Sequence, residues 1–394
     1  MRALTWQGRR DVRVEQVADP RIEEPTDAVI RVTSTAICGS DLHLYEVLGP
    51  YLTPGDILGH EAMGVVEEVG ADAAGHLSVG QRVVVPFNIA CGSCWMCRGG
   101  LYAQCETTQN REQDTGARLF GYTSLYGSVP GGQAEYLRVP QAHFGPVPDG
   151  VPDERYLFLS DVVPTAWQAV EYAEVPPGGS LAVLGLGPVG QLCVRIARLR
   201  GIEVFGVDRV PERLELAAGF GATAIDLSVV DDVPTALREL TAGRGPDGVV
   251  DAVGMEAHGS PAAHAAQGLV GMLPDAMARP LMEHAAIDRL DALVTAIESV
   301  RRSGTVSISG VYGGTVDPLP MRRMFDKGIT LRMGQCHVHR WLPEVLELMA
   351  DGSDPLDLDG FATHRVPLSQ APEAYQLFQA KKDGCLKVVL DPAA

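Results

Sequence analysis

The chain contains no run of about 18 consecutive apolar residues, and this excludes an ordinary membrane-spanning helix. Its first residues, Met1-Arg-Ala-Leu-Thr-Trp6, lack the apolar core of a secretory signal, so a cytoplasmic protein is expected. Basic clusters are also missing. Thirty-two Lys and Arg stand against 50 Asp and Glu, a net charge of −18, which argues against nucleic-acid and anionic-membrane partners. Helical periodicity is absent before residue 150. Short β-branched stretches alternate there with Gly and Pro turns, at residues 1–35, 62–70, 80–86 and 131–140, and predict a β-rich first domain.

At 394 residues the chain exceeds one ordinary core, so two domains are expected. With no export signal, its eight cysteines read as thiols or metal ligands rather than disulfides. Four follow the pattern Cys91-Gly-Ser-Cys94-Trp-Met-Cys97, with Cys105 eight residues later. Two-residue gaps let successive thiolates curl around one ion, and a fourth closes the tetrahedron. Such a site leaves no place for substrate, so a structural zinc is predicted in a lobe over about 88–110. A second group is Cys38-Gly-Ser40-Asp41-Leu-His43 with Gly59-His60-Glu61. Cys and His together suit zinc, and a hydroxyl with a spare imidazole suits proton transfer. Taken alone, the same residues also fit a strand-and-loop region with scattered polar side chains.

From Gly179 onward short apolar strands alternate with helical patterns, predicting a doubly wound parallel sheet of six strands ending at residues 329–334. The first strand runs into Gly185-Leu-Gly187-Pro188-Val189-Gly190, and Asp208 ends the second strand 18 residues after Gly190. In this context the glycines permit a tight turn, a close pyrophosphate and close helix–strand packing, while the acid takes the adenosine ribose. A carboxylate there favours NAD over NADP, and Arg209 directly after it weakens that preference. Fifty residues separate Gly254 from Thr305, too many for one crossover. Residues 288–302 supply the crossover helix, and residues 255–287 read as an insertion able to cover the cofactor. The α+β pattern after residue 335 is expected to rejoin the first domain. The predicted division is 1–162 with 336–394, and 163–335.

These motifs together resemble the zinc-containing medium-chain alcohol dehydrogenases over almost the whole chain. Within that family, Pro86-Phe-Asn-Ile-Ala-Cys91, Leu159-Ser-Asp161-Val-Val-Pro-Thr165 and Val250-Asp-Ala-Val-Gly254 are most similar to the glutathione-independent formaldehyde dehydrogenases, also called formaldehyde dismutases. The resemblance implies an α/β protein with a GroES-like β-rich catalytic domain and a Rossmann domain. It implies two zinc ions per chain, the catalytic one held by Cys38, His60 and Asp161, with Glu61 beside it. Asp161 stands where most family members have Cys. The resemblance also implies hydride transfer between NAD and a primary alcohol or aldehyde hydrate. Ser40 would take the proton and pass it to a near-surface His43. The implied cofactor contacts are Thr165, Gly185, Gly187, Pro188, Val189, Gly190, Asp208, Arg209, Arg213, Val253, Gly310, Val311, Gln335 and His337. A homo-oligomer is implied, a dimer through the edge strand at 329–334 or a tetramer. Asp41 is expected to be structural and Cys193 to lie in the core. His76, His143, His258, His264, His284, His339 and His364 are expected at the surface. A zinc-stabilised NAD-binding regulator without catalysis remains the alternative, although it leaves Cys38, His60 and Asp161 unexplained.

Overall fold

The structure, a computed structural model, describes residues 1–147, 151–254, 290–312 and 319–394. The chain forms two compact units, Met1–Pro164 with Cys336–Ala394, and Thr165–Gln335. The insertion at 255–287 lies outside the described residues.

The first unit is built on a seven-stranded sheet. Its strands run in the order His364–Pro367, Val388–Asp391, Ala28–Ile37, Glu61–Val69, Arg82–Val85 and Gly145–Pro146, and Tyr136–Val139 also pairs with Ala28–Ile37. All pairings are antiparallel except that of the first two. Ile30, Val32, Val66, Val83, Val85 and Leu137 fill its core, as the β-branched alternation requires. Register decides what meets at the end of the central strand. Ala36 pairs with Glu61 on one side, and Ile37 pairs with Val388 on the other. Three distant segments are thereby brought to the residue that precedes Cys38.

A helix at Gly39–Glu46 corrects the expectation of no helix before residue 150. Asp41, Leu42, His43, Leu44 and Tyr45 are all buried, so this helix has no polar face and shows no amphipathic period. The Asp41 carboxylate accepts the Cys38 N–H at 2.9 Å and so caps its first turn.

In the second unit six parallel strands run in the order Thr223–Asp226, Glu203–Asp208, Ser180–Leu184, Gly248–Asp251, Thr305–Ile308 and Thr330–Met333. The order reverses between Ser180–Leu184 and Gly248–Asp251, where a doubly wound sheet opens its ligand crevice. Ala182, Phe205, Val249, Leu237, Ile297 and Val306 form the core. The expected crossover helix is found at Asp291–Ser299. Among the described residues no helix is long and apolar enough to cross a membrane.

Candidate active site

Cys38 follows the central strand in extended conformation. His60 precedes the strand Glu61–Val69, and Asp161 lies between the 3-10 turn Phe158–Ser160 and the helix Val162–Tyr172. All three are buried, as is Glu61. One donor atom from each of the four lies within 4.8 Å of all the others. The same Asp161 Oδ2 is 3.3 Å from Cys38 Sγ and 3.3 Å from His60 Nε2. Gly59 brings His60 in at φ +95°, and a side chain there would start 2.3 Å from Gln133 Cγ. The sharp approach therefore requires glycine.

The surroundings orient these donors. Asp41, which is buried, places Oδ1 3.1 Å from His60 Nδ1, and its Oδ2 accepts from Cys38 N and from Gln133 Nε2 at 3.3 Å. The Asp41–His60 contact has ion-pair distance but not hydrogen-bond alignment, so its attraction is mainly one of charge. Gln133 is fixed in turn by Tyr375, whose hydroxyl donates to its Oε1 at 2.8 Å. With Nδ1 toward Asp41, the ring presents Nε2 to the cluster, the arrangement of a metal-bound histidine. Ser40 Oγ is 3.1 Å from that Nε2. Phe87 and Tyr122 stand edge-on to the ring, with centroids at 6.1 and 6.2 Å.

Electrostatics tests whether the cluster suits a cation. Burial, reinforced by the Asp161 and Glu61 charges, pushes the Cys38 thiol up to about 11. Burial alone would lower His60, but Asp41 and Asp161 outweigh it and hold the imidazole well above its usual range. Burial and Asp161 raise the Glu61 carboxyl, opposed by Lys387. The cluster thus holds protons that a divalent cation would displace. Sulfur, imidazole nitrogen and carboxylate oxygen in one dry space form a zinc donor set.

The second cysteine group also converges. The four sulfurs of Cys91, Cys94, Cys97 and Cys105 lie within 4.8 Å of one another, and none is in a disulfide. Backbone N–H groups of Ser93 and Cys94 point at Cys91 Sγ at 3.4 and 3.3 Å, and Thr107 Oγ1 donates to it at 3.2 Å. Burial pushes the Cys91 thiol up, but these donors outweigh it and bring it down to about 6. Such a thiol is a ready metal ligand.

Three histidines depart from expectation. His43 is buried on the helix Gly39–Glu46 rather than near the surface. His339 is buried and stacks on His143 at 3.7 Å with an 8° tilt, so neither is a free surface residue. The cause is packing beneath the cysteine lobe, where Tyr102 lies 5.1 Å from His339 and 5.9 Å from His143. His337 is buried in the first unit, with Nδ1 accepting the Ala103 N–H at 3.1 Å.

In the second unit, Gly185 follows its strand at φ +85°. Gly187 precedes the helix Pro188–Leu199, whose first residues are Pro188 and Val189. A side chain on Gly190 would begin 1.9 Å from Gly185 O, so glycine is obligatory there. Val253 packs against Gly185, Gly310 approaches Gly254 too closely for a side chain, and Val311 abuts Gly254. Arg213 reaches to within 3.8 Å of the side-chain position of Gly187, and Arg209 is exposed. The Gln335 carbonyl accepts from Gln168 Nε2 at 3.3 Å, and Thr165 is half-buried in the helix Val162–Tyr172. Cys193 is buried, as expected. Asp208 is more engaged than sequence suggests. Its Oδ2 accepts Leu186 N at 2.6 Å, and its Oδ1 accepts Arg209 N at 2.6 Å and Val210 N at 3.0 Å. The acid thus ties the glycine turn to the end of the second strand.

Sequence reasoning missed Lys387, Gln133, Tyr375 and Thr107. Lys387 alone carried a signal, a single charge within the apolar run Leu386-Lys387-Val388-Val389-Leu390.

Comparison with known proteins agrees with this geometry. Residues 24–149 match the alcohol dehydrogenase GroES-like domain, and residues 188–267 match the zinc-binding dehydrogenase family. The chain is 40% identical over 399 residues to a zinc-type alcohol dehydrogenase-like protein, AdhB, of Bacillus subtilis, covering 100% of both chains. It is 31% identical to a formaldehyde dismutase of Pseudomonas putida, covering 99% of this chain and 97% of that protein. Among solved structures, alcohol dehydrogenase TADH from Thermus sp. ATN1 is 35% identical with a TM-score of 0.80, covering 99% of each chain. The chain belongs to the zinc-type alcohol dehydrogenase family of oxidoreductases, with a GroES-like unit carrying the metal-donor clusters and a Rossmann unit carrying the glycine turn.

Proposed function

We propose that the protein moves a hydride between a small primary alcohol, or an aldehyde hydrate, and NAD, with zinc at two sites. The observation that carries this reading is the buried meeting of Cys38, His60, Glu61 and Asp161. When bound there, zinc polarises the substrate oxygen, and NAD serves as the hydride acceptor. Cys38, His60 and Asp161 hold the metal. Ser40 Oγ, beside His60 Nε2, takes the substrate hydroxyl proton. His43, three residues along the same helix, is the next base in line despite its burial. Phe87 and Tyr122 flank His60 with apolar rings and favour a small substrate. Cys91, Cys94, Cys97 and Cys105 hold the second zinc, which fixes the lobe.

Gly185, Gly187 and Gly190 cradle the pyrophosphate at the start of the helix Pro188–Leu199, and Asp208 takes the ribose. NAD is preferred over NADP, because a 2′-phosphate would face the Asp208 carboxylate. Equal turnover with both cofactors would refute that preference. The dismutase relative in Pseudomonas putida supports a sharper version, in which one aldehyde is oxidised and the next reduced on a retained cofactor. Purified protein given aldehyde alone should then yield alcohol and acid in equal amounts. A need for added NAD at every turnover would exclude dismutation and leave the dehydrogenase.

Metal analysis separates the enzyme from a regulator: two zinc ions per chain support catalysis, and one, confined to the lobe, refutes it. Thr330–Met333 ends its sheet as an edge strand, with Met333 and the neighbouring Phe325 exposed, which supports a homo-oligomer. A sedimentation mass of a single chain would contradict it.

A further inference from the structure

One buried ion pair takes no part in the proposed chemistry. Lys387 and Glu61 are both fully buried, and Lys387 Nζ donates to Glu61 Oε1 at 2.5 Å. The other Glu61 oxygen, Oε2, is buried and has no hydrogen-bond partner among the described residues. Sheet register creates this meeting. Glu61 pairs with Ala36, Val388 pairs with Ile37, and Lys387 immediately precedes Val388. A lysine and a glutamate 326 residues apart are thus delivered to the same end of the central strand, beside Cys38. A buried lysine is expensive unless something requires its charge.

Charge in the cluster supplies the reason. Cys38, Asp161 and Glu61 each bring a negative charge when they face a divalent ion, and Asp41 stands behind His60. Three anionic donors plus an imidazole would saturate a tetrahedral ion and leave no position for substrate. An open position survives where one carboxylate is held back, and a competing cation can do this. Among the described residues Lys387 is the cation paired with Glu61, and it grips one oxygen of that carboxylate.

We propose that Lys387 is a positioning residue that holds the Glu61 carboxylate back from the metal, keeping a coordination place open for substrate. The inference rests on the reading of Cys38, His60 and Asp161 as a metal site. It departs from a merely structural ion pair in the sign of one effect. Removing a structural pair loosens the site and the metal. Removing a restraint on Glu61 frees an extra donor and tightens the metal.

The test uses full-length protein loaded with cobalt in place of zinc. The lobe contributes the same absorption to every variant, so differences report on the Cys38 site. In Lys387→Met the visible bands should shift as the Glu61 oxygen takes the place left for substrate. The metal should leave to a chelator more slowly than from the native protein, and kcat/KM should fall by roughly ten- to a hundredfold. Lys387→Arg, which keeps the cation, should retain the native spectrum. Lys387→Gln keeps a donor without charge, should show the same effect in smaller measure, and serves if the methionine variant does not fold. In a Glu61→Gln background, Lys387→Met should change neither spectrum nor metal release, because the effect passes through Glu61. A native spectrum with faster metal loss in both Lys387→Met and Lys387→Gln would overturn the proposal while leaving the metal site standing. A native protein that takes up one metal ion per chain would overturn the metal-site reading and the proposal with it.

Discussion

The stacked imidazoles beneath the cysteine lobe should make this protein acid-sensitive in a definable way. His143 and His339 lie face to face at 3.7 Å, and His337 sits close by in sequence with its Nδ1 committed to Ala103. Burial lowers His339 well below its usual range, and the His143 ring adds to the effect. Burial also lowers His143, with a smaller contribution from His76 and partial relief from the Ala90 backbone. Burial and the Arg340 charge bring His337 down to about 4. Each group therefore prefers to be neutral in the folded chain. Above the ordinary histidine value both folded and unfolded chains hold neutral rings, and stability is unaffected. As pH falls below that value the unfolded chain binds protons that the fold refuses, so stability is lost progressively down to the folded values. For His337, about one pH unit below the ordinary value, the loss is about 1 kcal/mol after allowance for residual solvent contact. In a protein of this size that corresponds to roughly 1 °C in Tm, with the two stacked rings adding to it. The perturbation is His339→Phe, which keeps an aromatic partner for His143 and removes one titrating ring. Thermal melts and lobe-zinc release, followed from about pH 7 to about pH 5, should show a shallower fall in the variant. The lobe thiolates titrate alike in both proteins, so the difference in slope isolates the stack. Identical slopes would refute the reasoning.

Two further outcomes follow from contacts already described. Gly190→Ala places a methyl 1.9 Å from Gly185 O, which must displace backbone, so a stability loss of about 1–3 kcal/mol and loss of dinucleotide binding are expected; a native melt with unchanged binding by titration calorimetry would contradict the turn geometry. Asp41→Asn removes the charge facing His60 Nδ1 at 3.1 Å, and metal affinity at the Cys38 site should drop roughly ten- to a hundredfold while lobe zinc is retained, as metal-competition titration can measure.

What could be read in the chain divides along a physical line. The Rossmann unit was legible because each strand and helix carries its own period, and because the turn Gly185–Gly190 is fixed by residues adjacent in sequence. The cysteine lobe was legible for the same reason, since its four sulfurs lie within 15 residues. The helix Gly39–Glu46 was not legible, because burial on every side erases the amphipathic pattern. Asp161 carried no local signal and emerged only through resemblance to a family. The buried stack of His143 on His339 also had none, since ordinary spacing conceals two rings that meet across 196 residues.

The residues hardest to see are those that act by opposing another group. Cys38 and His60 announce themselves as donors, because their chemistry is recognisable wherever they stand. Asp41 and Lys387 have generic chemistry, and their meaning lies entirely in the atom they face. Asp41 faces His60 Nδ1 only because Gly59 turns the chain sharply past Gln133. Lys387 faces Glu61 only because two strands pair with Ala36 and Ile37 in a particular register. A shift of one residue in either pairing would turn these side chains to the other face of the sheet and leave a buried charge unpaired. The site therefore constrains the register as firmly as the core does, and a strand-slip substitution near Val388 should cost metal binding even where the apolar packing is preserved.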